Sequence, residues 1–168
     1  MKISLRIASP LWRHIHADLT RPHAFAFERV GFLTCRPTSL PGSDLLLLAQ
    51  DWHAVDDTDY VDKPTVGACI GPRAFRKILQ HAYGSPCTVL HVHRHEHLGV
   101  PEFSRTDILS MREFVPGFFN ACRSRPHGAL VLSRDAAAGH VWLDPTARQF
   151  EIESFRILGQ PIRTWSTR

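Results

Sequence analysis

His91-Val92-His93-Arg94-His95-Glu96-His97-Leu98-Gly99-Val100-Pro101-Glu102-Phe103-Ser104-Arg105-Thr106-Asp107 is the stretch on which the reading of this chain turns. Thr88-Val89-Leu90 precede it and predict a buried strand from Cys87 to His93. Residues two apart on a strand share a face, so His-x-His aims two imidazoles at one spot. Gly99-Val100-Pro101 forces a loop. Ser104-Arg105-Thr106-Asp107 has the pattern of a capping box, opening a helix through Ile108, Met111 and Val115. A carboxylate returning from that helix can join the imidazoles. Two His and one carboxylate leave a fourth tetrahedral position for water, the arrangement of a catalytic rather than a structural zinc.

Other patterns fit parts of the same stretch. His93 to His97 reads H-x-x-E-H, a zincin-like string, but that motif needs a helix and the residues around it favour a strand and a loop. His95-x-His97 with Glu102 fits a loose cupin pattern, but a jelly roll needs strands on both sides. A zinc deaminase needs P-C-x-x-C, and Pro86-Cys87 lacks the second cysteine. The bland alternative is a surface strand with incidental histidines.

Outward from the cluster, the chain alternates strands and helices. Ile3, Leu5 and Ile7 give a half-buried strand. Ser9-Pro10 opens a helix with Leu11, Trp12, Ile15 and Leu19 on one face. Phe25 to Cys35 is aromatic and apolar, Pro37 to Ser43 reads as a loop, and Asp44 to Val55 as a strand. Asp56, Asp57, Asp59 and Asp62 form an acidic loop, either solvated or facing a basic partner. Gly71-Pro72 starts a helix carrying Phe75, Ile78, Leu79 and Ala82 at helical spacing. Pro116-Gly117 is expected to interrupt the helix after Asp107. Strands are expected at Ala129 to Ser133, His140 to Leu143 and Phe150 to Leu158. The order predicts one mixed α/β layered domain.

Composition agrees with such a domain. The chain has 168 residues, 43% hydrophobic and 21% charged, which argues against disorder. No apolar run approaches the ~20 residues of a membrane span. The first residues lack a signal-peptide core, so a cytoplasmic location is expected. The net charge of +4 is scattered, and 17 of the 20 basic residues are Arg. No basic stripe marks a nucleic-acid binder. Cys35, Cys69, Cys87 and Cys122 form no C-x-x-C and read as free thiols. Histidine alone is abnormal, at 11 residues.

The combined pattern resembles the JAMM metalloenzymes, the catalytic branch of the JAB/MPN domains. That family has an upstream Glu, then H-x-H, a short loop and S-x-x-D. Glu28-Arg29-Val30-Gly31-Phe32-Leu33 is similar to its E-x-x-G-x-L at the start of a strand, and Ser104-Arg105-Thr106-Asp107 to its last part. The loop from His95 to Ser104 is one residue longer than is usual in the family. The order of elements is similar over nearly the whole chain, closest to small prokaryotic members found in ubiquitin-like conjugation operons.

The resemblance implies one JAB/MPN domain over residues 1–168, with a cytidine-deaminase-like layered fold in which helices flank a curved mixed sheet. It implies one zinc ion held by His93, His95 and Asp107. His91 and His97 are neighbours or alternative ligands, since the H-x-H register is open. Glu28 is implied as the general base and Ser104 as the oxyanion donor. The implied reaction is hydrolysis of the peptide or isopeptide bond after the C-terminal tail of a ubiquitin-like protein. Partners resembling activating and conjugating enzymes are implied, with the oligomeric state open. Rival readings are a non-catalytic MPN-type scaffold, a JAMM hydrolase of a sulfur-carrier or small-molecule substrate, and a cupin-like metal-binding module.

Overall fold

The computed structural model describes residues 1–146, 148–159 and 163–166. It is a mixed α+β arrangement of nine strands and three helices in the order β1(Ile3–Ala8), α1(Ser9–Leu19), β2(Val30–Ser39), β3(Leu45–Ala54), α2(Pro72–Gly84), β4(Thr88–Arg94), α3(Arg105–Ala121), β5(His127–Leu132), β6(Ala137–Trp142), β7(Phe150–Glu151), β8(Ser154–Leu158) and β9(Arg163–Ser166). The strands form one sheet, ordered β7-β6-β5-β4-β2-β3-β1-β8-β9. β1 runs parallel to β3 and β8, and β4 parallel to β5, while the other neighbours are antiparallel.

Alternation along the strands sorts the core into two layers. On one face, Ile15 and Leu19 of α1 pack with Leu5, Leu33, Leu90 and Val92. On the other, Ala74 and Ile78 of α2 and Met111 and Phe118 of α3 pack with Phe32 and Val89. Period-two alternation therefore fixes where the histidines go. Leu90 and Val92 face α1, so His91 and His93 face α2 and α3. Parallel β4 and β5 are joined through α3, as parallel pairing requires a crossover. The C-terminal end of β4 thus lies beside the N-terminus of α3, the edge where open α/β sheets commonly bind ligands.

Three local expectations are corrected. α3 runs through Pro116 and Gly117 to Ala121. Phe118 and Phe119 beyond them are 1% and 2% exposed, and burying them opposes the proline and glycine penalties. β2 continues through Pro37 to Ser39, because its β4 side is open after Cys35 and a missing N–H there breaks no ladder. The acidic loop is not simply solvated. Asp57 pairs with buried Arg29 at 2.7 Å, Asp59 is buried between Arg73 and Lys77, and Asp56 also meets Lys77. β9 answers to no expected strand. No helix among the described residues is long and apolar enough to cross a membrane.

Candidate metal centre

His93, near the end of β4, is held by strand pairing on both sides, to Val30 of β2 and Val131 of β5. His95 lies one residue past β4, yet its N–H donates to the Leu132 carbonyl at 2.8 Å and extends the ladder. The loop beyond is pinned to the turn between β5 and β6. There the Arg134 N–H donates to the His97 carbonyl and the Gly99 N–H to Asp135 Oδ1, at 2.9 and 2.8 Å. Gly99 sits at φ 85°, a region that favours glycine.

Asp107 enters from the first turn of α3. Ser104 Oγ accepts the Asp107 N–H at 3.2 Å, while Asp107 Oδ2 accepts the Ser104 N–H at 2.7 Å. The capping box read from the sequence is therefore formed. The Ser104 hydroxyl also acts on the Asp107 carboxylate as a side-chain hydrogen-bond partner.

Three atoms converge. His93 Nε2 and His95 Nε2 are 3.2 Å apart, and Asp107 Oδ2 lies 3.4 Å from the first and 3.8 Å from the second. Ligand atoms bound tetrahedrally at about 2.0–2.1 Å from zinc stand roughly 3.3 Å from one another. The three separations are close to the edges of one tetrahedral face, and the group could hold a metal ion. The His93 side chain is 5% exposed, whereas His95 and Asp107 are 21% and 20% exposed. The trio is thus anchored on one side and open on the other.

Charge in the cluster follows from these contacts. Burial opposes ionisation of Asp107, but the hydrogen bonds and charge of His93 and the Ser104 contacts outweigh it and hold the carboxyl well below its usual range. Burial first, then His93, lowers the His95 pKa, which favours the neutral, ligating imidazole. His91 is packed against Phe114 and Phe32, and burial lowers its pKa to about 3. It joins the cleft wall and not the trio. His97 is exposed and turns Nδ1 toward the Leu98 carbonyl. Of the four clustered histidines, the structure brings only His93 and His95 together with Asp107.

Glu28 lies in a bend two residues before β2, not on the strand. It lines the same cleft as the trio, and the charges of His93 and Asp107 act on it. Burial is the largest influence and raises its pKa. Phe27 does not supply that burial, being 80% exposed. The opposite wall is Gly67, whose carbonyl accepts the N–H groups of Phe27 and Glu28 at 2.9 and 3.0 Å. A Cβ on Gly67 would stand 2.7 Å from Glu28 Oε2. Nothing in the sequence around Gly67 announced this role, since a lone glycine in an irregular segment has no periodic signal. Phe103 was also missed. It stacks on His140 at 4.9 Å and stands 6.2 Å from the His93 ring, walling the cleft beside Ser104.

No family model matches the sequence, and no curated protein matches it. Among solved structures the chain is similar to the Trichoplax adhaerens STIL N-terminal domain, at a TM-score of 0.42 and 10% identity. The match covers 83% of this chain and 41% of that one. The chain thus matches less than half the length of that neighbour.

Proposed function

We propose that this chain is a zinc-dependent isopeptidase or peptidase of the JAMM type, on a JAB/MPN-like domain. It hydrolyses the amide bond after the C-terminal tail of a ubiquitin-like protein. The observation that carries the reading is the near-tetrahedral spacing of His93, His95 and Asp107, with the half-buried Glu28 carboxylate in the same cleft. Two histidines, one aspartate and an open side suit zinc. A zinc ion bound there would polarise the scissile carbonyl and lower the pKa of a bound water.

The chain's own residues do the rest. Glu28, made more basic by burial, takes the proton of the attacking water and returns it to the leaving amine. The Ser104 hydroxyl, beside the trio, turns its hydrogen to the carbonyl oxygen and stabilises the charge developing there. The His93 and His95 imidazoles and the Asp107 carboxylate keep their places because a strand pair and a capping box fix them.

Metal analysis of the purified protein beside Asp107→Ala and Glu28→Ala tests this. Asp107→Ala is expected to lose zinc. Glu28→Ala is expected to keep one zinc per chain and lose amide cleavage. Full cleavage by Glu28→Ala removes the base from the mechanism, and a metal-free wild type with intact fold favours a binding scaffold.

A further inference from the structure

The cleft that holds the trio is larger than the reacting groups need. It encloses about 500 Å³, within the roughly 300–1,000 Å³ of pockets that hold small ligands. It also changes character along its length. Asp107, Met111 and Phe114 fall on one face of α3, and all three line the cleft. Seven residues of helix rise about 10 Å, so the cleft runs that far from the polar trio.

Its far end is apolar. His91 packs on Phe114 with ring centroids 4.7 Å apart, and Phe114 on Phe75 at 5.8 Å. Ile70 and Met111 also line the cleft, as do Ser110 and Glu113 of α3. Ile70, Phe75 and Phe114 are only half-buried although they belong to the core layer under α2 and α3. Their remaining apolar surface faces a cavity continuous with the metal centre. A tail made only of glycine has no side chain to cover it. An extended chain advances about 3.3 Å per residue, so the apolar end lies within about three residues of a bond held at the trio.

We infer that this end of the cleft is a specificity subsite for a large apolar side chain, leucine or phenylalanine in size, within three residues of the scissile amide. The substrate tail therefore differs from an all-glycine one. The inference rests on the amide-hydrolase reading only for what happens at the trio, because the subsite is defined by binding.

The test uses ten-residue peptides carrying Gly, Leu or Phe at each of the three positions before the scissile amide. Calorimetry on zinc-loaded Glu28→Gln reads binding without turnover, and the zinc-loaded wild type reads kcat/KM. Burial of such a side chain is expected to favour Leu or Phe over Gly at one position by at least about tenfold in both measurements. Phe114→Ala is expected to shrink that ratio while zinc remains bound. Equal binding of the Gly peptides, or no binding of any peptide, overturns the subsite. Selective binding of the apolar peptides with no cleavage by the wild type upholds the subsite and overturns the hydrolase reading.

Discussion

The Oδ2 atom of Asp107 accepts the Ser104 N–H at 2.7 Å and lies 3.4 Å from His93 Nε2. One oxygen therefore serves both a helix cap and the candidate metal centre. The two roles are separable by mutation. Ser104→Ala removes the acceptor for the Asp107 N–H and is expected to destabilise the fold by about 1 kcal/mol. Urea unfolding in chelator should show that loss, and metal analysis of the same variant should show one metal per chain. Loss of metal in Ser104→Ala would make the cap a condition for the site rather than its neighbour.

Gly67 and Glu28 give a second prediction. A methyl group at Gly67 would enter the space of the Glu28 carboxylate. Gly67→Ala is expected to keep its metal and to lose amide hydrolysis by a factor on the order of 10 to 100, the penalty for misplacing a catalytic group by about 1 Å. Unchanged turnover in this variant would show that Glu28 needs no fixed position.

Period-two alternation and a capping box are local rules, so paired imidazoles and a helix-start carboxylate were legible, but these rules left the choice between His91/His93 and His93/His95 open. His93 and His95 share a side through the first, and Asp107 starts a helix through the second. The wall formed around Gly67 was not legible. It is an irregular segment whose contribution is one carbonyl and one absent side chain. The acidic loop misled because Asp59 is buried by partners 14 and 18 residues away, Arg73 and Lys77, on the next helix. Pro116 misled because its helix is held from both sides by core residues, Val115 and Phe118, which no propensity rule weighs.

Tyr60 anchors the start of β2. Its hydroxyl accepts the Val30 N–H at 2.9 Å and donates to the Val30 carbonyl at 3.2 Å, in a buried setting. Tyr60→Phe leaves that N–H without its acceptor and is expected to lower stability by about 1–3 kcal/mol. The urea midpoint reads this directly, and an unchanged midpoint would contradict the anchor.

Stability of the metal-free protein should fall on mild acidification. Burial, and for His16 also Arg94, lowers the pKa of His16 from 6.5 to about 4, and burial lowers His127 to about 4 as well. His127 is fixed between the Val89 N–H at 3.0 Å and the Cys122 carbonyl at 2.8 Å. As pH drops through 6.5 the unfolded chain takes up protons that these folded imidazoles refuse. The stability they contribute is full above 6.5 and is lost progressively down to about pH 4. Glu28, whose pKa is raised, acts in the opposite sense, but it is one group against several buried histidines. Urea midpoints measured in chelator between pH 7 and pH 4 should decline throughout, and a flat profile would contradict the assignment.

The most direct test is turnover of a ubiquitin-like protein fused through its tail to a reporter peptide. The wild type is assayed as purified, after chelation, and after reloading with one equivalent of zinc. Cleavage at the tail should disappear on chelation and return with zinc. Cleavage that survives chelation, or a chain that holds one zinc and cleaves no amide, would contradict a metal-dependent amide hydrolase centred on His93, His95 and Asp107.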